Sequence, residues 1–133
     1  MEQLAKGTFT VALKPLAFEG VDTTARLGRM SIDKELRGDL TGHTQGQMLT
    51  GMTETSGSAG YVAIERVTGT LHGKRGTFLL QHFGIMDRGA PSLRVTVVPD
   101  SGTDELRGLT GEFTIDNRGG QHSYELRYRL PPA

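Results

Sequence analysis

Three side chains sit in surroundings that do not suit their chemistry, and they set the functional question. Lys34, Glu65 and His82 each fall on the apolar face of an alternating run. Lys34 shares its phase with Met30, Ile32 and Leu36, Glu65 with Tyr61, Ala63, Val67 and Leu71, and His82 with Phe78 and Leu80. Residues two apart in a strand point to the same side, so each of the three is carried toward an interior. An ammonium, a carboxylate and an imidazole in one apolar enclosure can fix the polar group of a ligand or handle a proton. They can equally satisfy one another as a structural ion pair, because a buried charge left unpaired is strongly destabilising. His122, near a hairpin end and in phase with Tyr124, Leu126 and Tyr128, completes the interior polar set, with Tyr61, Tyr124 and Tyr128 as hydroxyl-bearing walls. The candidate ligand-binding residues are therefore Lys34, Tyr61, Glu65, His82, His122 and Tyr124, and no catalytic residue is assigned.

Other chemistries find little support. Gly57-Ser58-Ala59-Gly60 lacks the Gly-x-Ser-x-Gly spacing of a nucleophile elbow. Gly73-Lys74-Arg75-Gly76 has neither the glycine spacing nor the following helix of a phosphate-binding loop, and reads as a solvated hairpin tip. His43, His72, His82 and His122 show no metal-ligand spacing, and the first two fall on outer faces, so no metal and no cofactor are expected. The chain has no Cys, which removes disulfides and thiolate chemistry. Its 15 basic and 15 acidic residues balance, which argues against nucleic acid and anionic membrane as partners. The first residues, Met-Glu-Gln-Leu-Ala-Lys-Gly, carry no leader pattern, and a cytoplasmic protein is expected.

The elements that must position these side chains are strands. The 19 glycines and the lack of any sustained helical period favour short strands, turns and bulges over helices. Thr8 to Lys14 alternates with Phe9, Val11 and Leu13 on one face, and the irregular Phe18 to Asp22 stretch that follows is read as a cap over one barrel end. Arg26 to Leu36 is the next strand; Arg37-Gly38-Asp39 is read as its three-residue loop, pairing Leu36 with Leu40. Leu40 to about Glu54 follows, with Leu40, Gly42, Thr44, Gly46, Met48, Thr50 and Met52 facing inward and leaving room near Lys34.

Ser58 to Met86 forms the central hairpin. An even loop at Gly73 to Gly76 pairs position 71 with 78 and 67 with 82, which turns His82 inward and Gln81 outward; a bulge would exchange them. Leu93, Val95 and Val97, then Leu109, Gly111, Phe113 and Ile115, then His122, Tyr124, Leu126 and Tyr128 supply the remaining inward faces. The fold expected is all-β: one domain over residues 1–133, an antiparallel up-and-down barrel of about eight strands.

A short device recurs along the chain. Glu35-Leu36-Arg37-Gly38-Asp39-Leu40-Thr41-Gly42 resembles Glu105-Leu106-Arg107-Gly108-Leu109-Thr110-Gly111. Gly38 to Gly42 also belongs to a wider likeness. With Ala59-Gly60-Tyr61-Val62-Ala63-Ile64-Glu65-Arg66-Val67-Thr68-Gly69, Gly76-Thr77-Phe78-Leu79-Leu80-Gln81-His82, Val98-Pro99-Asp100-Ser101-Gly102-Thr103 and Tyr124-Glu125-Leu126, it resembles a bacterial family of single-domain proteins of unknown function. That resemblance implies an allene-oxide-cyclase-like, calycin-type barrel and brings no activity or catalytic residue with it.

Function is read in three ways. The leading expectation is a small-molecule-binding barrel with an apolar cavity, in which Lys34, Glu65 and His82 fix a polar group. The alternatives are a cofactor-independent isomerase or cyclase, with Glu65 or His82 handling a proton, and a filled barrel that acts by self-association. Outward apolar residues, Val62, Ile64, Leu79 and Val98, predict a homo-oligomer, most simply a dimer.

Overall fold

Alternation with period two runs through nearly every element, and its consequence is a sheet with one apolar face that closes on itself. The computed structural model describes residues 1–132 and, at Thr23, the backbone alone. Strands β1 (Gln3–Leu16), β2 (Leu27–Gly38), β3 (Leu40–Met52), β4 (Ala59–Leu71), β5 (Lys74–Asp87), β6 (Ala90–Val97), β7 (Thr110–Asp116) and β8 (His122–Arg129) follow one another around a closed antiparallel barrel, with β8 returning to β1. Among the described residues the only helical pieces are three short 3-10 turns, and no helix is long and apolar enough to cross a membrane.

Two registers differ from the sequence reading. Leu36 lies opposite Gly42, not Leu40, and Leu40 instead faces Leu71 across β3 and β4. In the central hairpin Leu71 pairs with Lys74 and Val67 with Phe78, so the turn is the two residues His72-Gly73. Both residues have positive φ, 46° and 82°, which is what a tight two-residue hairpin turn demands. Each correction moves the pairing by an even number of residues, so every side chain stays on its expected face. The segment after β1 also departs from expectation. Ala17 accepts a hydrogen bond from Arg29 Nε at 2.9 Å, and Phe18 shares an outer groove with Leu27 and Leu49, so this segment lies against the outer wall and does not cap the barrel.

The two ends of the barrel are unlike. At the end formed by the C-terminal halves of β2, β4 and β8, Leu36, Leu40, Leu71, Phe78, Leu109, Leu126 and Tyr128 are buried. Leu106, from the connection between β6 and β7, is fully buried with them. At the other end Leu13, Met52, Met86 and Leu93 are 43–60% exposed. The seam between β6 and β7 is short, Val95 pairing with Phe113 and Thr96 with Glu112, so the wall parts toward this open end.

Candidate functional site

Pairing between β4 and β5 builds the site. Tyr61 faces Gly84, Ala63 faces His82, and Glu65 faces Leu80. His82 is therefore diagonal to both Tyr61 and Glu65 on the inner face, within side-chain reach of each, with only the small Ala63 directly opposite. Two glycines make the approach feasible. A Cβ at Gly84 would stand 2.2 Å from the Tyr61 ring, so that ring lies where a side chain on β5 would otherwise be. A Cβ at Gly46 would stand 2.6 Å from the Glu65 Cβ, so β3 leaves its neighbour on β4 the room it needs.

The result is a continuous chain of four polar side chains. The Tyr61 hydroxyl meets His82 Nδ1 at 3.2 Å. His82 Nε2 is hydrogen-bonded to Glu65 Oε2, and Lys34 Nζ donates to the same oxygen at 2.9 Å. Glu65, His82 and Lys34 are 1%, 4% and 6% exposed, and Tyr61 is half-buried. The Lys34 ammonium lies over the rings of Phe9 and Phe113, 5.1 Å and 5.8 Å from their centroids, a placement that favours a cation. Glu65 Oε1 and Thr44 Oγ1 are buried and, among the described residues, have no hydrogen-bond partner.

Burial pushes the Glu65 carboxyl up, but the hydrogen bond from His82 and the charge of Lys34 outweigh it and hold the group down at about 2. Burial, and behind it the Glu65 charge, push the Tyr61 hydroxyl up, so it keeps its proton. Glu65 is thus an acceptor only, and the His82 Nε2 that faces it is the donor.

Tyr61 also lines a cavity of about 360 Å³ at the open end, with Met48, Met52, Ala59, Met86, Leu93 and Asn117 among its walls. A larger depression of about 660 Å³ lies outside the barrel along β5 and β6, where Gln81, Phe83 and Arg94 line it; none of the four chain residues does.

Of the six residues expected at the site, four are brought together: Lys34, Tyr61, Glu65 and His82. His122 is not among them and stacks on Phe9 at 5.1 Å. Tyr124 is turned to the closed end, where its hydroxyl takes a hydrogen bond from the Leu40 N–H and lies 2.8 Å from the Leu40 carbonyl, and its ring stacks on Phe113. His43 is exposed on the outer face, and His72 sits in the hairpin turn bonded to the Tyr128 hydroxyl. Gln81 points outward and His82 inward. Sequence reasoning missed the link between Tyr61 and His82, because the longer loop would have set Tyr61 beyond reach. The signal that could have found it is Gly84, a glycine on an inward position two residues after His82.

Comparison with known proteins bears on the whole chain. No curated protein matches it. A crystal structure, at 1.84 Å resolution, of a protein with unknown function from the DUF3224 family of Shewanella oneidensis MR-1 is similar over 100% of both chains, with 46% sequence identity and a TM-score of 0.94. The family model described as "Protein of unknown function (DUF3224)" matches residues 5–128, and the chain belongs to that family.

Proposed function

We propose that the barrel binds a small, largely apolar molecule at its open end and holds it through the chain that begins at Tyr61. One observation carries this reading: the residue that lines the cavity is also the end of a buried line of mutually bonded ionisable groups. The volume of about 360 Å³ lies in the range of small-ligand sites, and Met48, Met52, Met86, Leu93, Ile85 and Pro91 supply apolar wall beside the polar Thr50, Ser92 and Asn117. Binding is favoured over turnover because Tyr61 is the only titratable side chain lining the cavity among the described residues, and burial keeps its hydroxyl protonated, which leaves no lining side chain ready to act as a general base. Kinship with calycin-type, allene-oxide-cyclase-like barrels belongs to the same proposal. It is supported by strands that pair in chain order, with β8 closing on β1.

The neutral fluorophore N-phenyl-1-naphthylamine tests the reading. A saturable rise in emission is expected with the wild-type protein and its loss with Met48→Trp, which fills the cavity. A rise that Met48→Trp leaves intact would place the probe elsewhere and overturn the proposal.

We also propose that two copies of the chain associate through the outer face of β2 to β5. Leu27, Leu49, Val62, Ile64, Phe83 and Ile85 are each 45–59% exposed there, and the register sets Leu49, Val62 and Phe83 side by side. At roughly 150–200 Å² for each fully exposed side chain, half exposure of this group leaves about 500 Å² of apolar surface, which belongs more to an interface than to a solvated wall. A stable contact buries about 800 Å² on each partner, and the polar rim of Arg29, Gln47, Gln81 and Arg94 supplies the remainder. The cations in that rim are already engaged, Arg29 with Gln47 and Arg94 with Glu112, and the chain carries no net charge to hold copies apart. Leu79 and Val98 do not join the patch, because both are half-buried where the connection after β6 crosses β5. Light scattering at tens of micromolar should give a dimer mass for wild type and a monomer for Phe83→Lys; a monomeric wild type would refute the interface.

A further inference from the structure

We propose that the open-end cavity selects ligands carrying a hydrogen-bond donor, an alcohol, phenol or N–H group on an apolar body, and that Tyr61 makes the selection with its phenolic oxygen. The inference rests on the binding reading above and adds the polarity of the ligand. It follows from passing hydrogen-bond direction along the chain, one group at a time. Glu65 Oε2 is a carboxylate oxygen that accepts from Lys34 Nζ at 2.9 Å and from His82 Nε2. On this proposal the His82 ring carries a single proton, at the Nε2 that faces Glu65, and Nδ1 is then an acceptor. The Tyr61 hydroxyl, 3.2 Å away, then donates inward to Nδ1. What its oxygen offers to the cavity is lone pairs.

The other polar lining side chains, Thr50, Ser92 and Asn117, can each donate or accept as the ligand requires, so Tyr61 is the one polar lining group among the described residues whose sense is fixed. A ketone or a carboxylate of the same shape would set its own lone pairs against those of Tyr61 and leave both without a proton between them. An alcohol completes the chain. Sites that use a buried polar group in this way discriminate through the group left unpaired in the wrong complex. The interior ion pair thereby gains a role that its own burial does not explain: it holds Glu65 as an acceptor, which fixes His82, which fixes Tyr61.

The test compares 4-tert-butylcyclohexanol with 4-tert-butylcyclohexanone, two molecules of nearly one shape, by calorimetry and by amide chemical-shift titration against wild type and Tyr61→Phe. The alcohol should bind wild type about tenfold more tightly than the ketone, the worth of one hydrogen bond, and the ratio should fall to about one in Tyr61→Phe. The amide spectrum of the variant should match wild type away from β4 and β5, which separates loss of the oxygen from loss of the fold. Equal affinity for the two probes in wild type, or an alcohol preference that survives Tyr61→Phe, would overturn the polarity assignment while leaving the cavity reading in place. Binding of neither probe would overturn the cavity reading and this inference with it.

Discussion

Replacing Glu65 with Gln tests whether the interior charges form one energetic unit. The substitution keeps the shape and removes the anion, which leaves the Lys34 ammonium 6% exposed with no counter-charge. Breaking a buried pair by removing one partner costs about 3–5 kcal/mol. Two features reduce that figure here. The amide oxygen of Gln can still accept one of the two hydrogen bonds that Glu65 Oε2 receives, and Phe9 and Phe113 continue to favour the ammonium, a contribution of about 1 kcal/mol. A net loss of about 2–4 kcal/mol is expected. Lys34→Met alone should cost less, about 1–3 kcal/mol, because Glu65 keeps the donor from His82 while the thioether stem packs between the same two rings. The double variant carries neither charge, and its total loss should be about 1–2 kcal/mol, below that of Glu65→Gln alone. Urea unfolding at pH 7 measures all four proteins, with a constant slope required for the comparison. Losses that add to within about 0.5 kcal/mol would mean that Lys34 and Glu65 are not coupled, and the reasoning about the chain would fail at its first link.

Two further predictions follow from the same geometry. Because the Glu65 carboxyl falls from an ordinary 4.5 to about 2 on folding, it contributes stability that is complete above pH 4.5 and is lost as pH falls toward 2, worth about 3 kcal/mol at most; an acid titration of the urea midpoint should show this component in wild type and not in Glu65→Gln, and identical profiles would contradict it. Gly84→Ala should cost about 1–3 kcal/mol and abolish probe binding by driving a methyl into the Tyr61 ring, whereas Gly60→Ala, whose Cβ meets Ile85 Cδ1 at 3.5 Å and the Gly84 carbonyl oxygen at 3.8 Å, both ordinary contacts, should be nearly neutral; equal effects of the two would remove Gly84 as the reason Tyr61 reaches His82.

The inward faces were legible in the sequence because strand periodicity leaves little freedom: Lys34, Glu65 and His82 share their phases with leucines, valines and phenylalanines. Register was less legible. Reading the turn at Gly73 to Gly76, in place of His72-Gly73, slides β5 against β4 without changing which side any residue faces, so period alone cannot reveal the error. Its cost was local but functional, since it set His82 opposite Val67 and left Tyr61 out of the chain. Tyr124 shows a different limit. Its hydroxyl reaches the backbone of Leu40, 84 residues away in sequence, and an acceptor of that kind has no signature in side-chain type. The same is true of the parted seam between β6 and β7, which depends on how the wall closes and not on the composition of either strand.

On the binding reading proposed above, the four polar groups serve more than stability. At the closed end the same barrel fills its interior with Leu36, Leu40, Leu71, Phe78 and Leu126, each buried to within 2%. An apolar layer at the level of Lys34, Glu65 and His82 would be expected to hold the fold at least as well, because buried ion pairs often break even against well-packed hydrophobic residues. The polar layer instead lies where the packed end gives way to the open one. Glu65, His82 and Lys34 are almost fully enclosed, while Tyr61 is half-buried and reaches the cavity wall. Such an arrangement separates two demands. The closed end, with its leucines and the bonded hydroxyls of Tyr124 and Tyr128, can carry the cohesion of the barrel. The open end is then free to keep exposed methionines and a short seam, since little of the fold depends on them. The ion pair that joins these regions is neutral as a unit, so it adds no net charge to the interior.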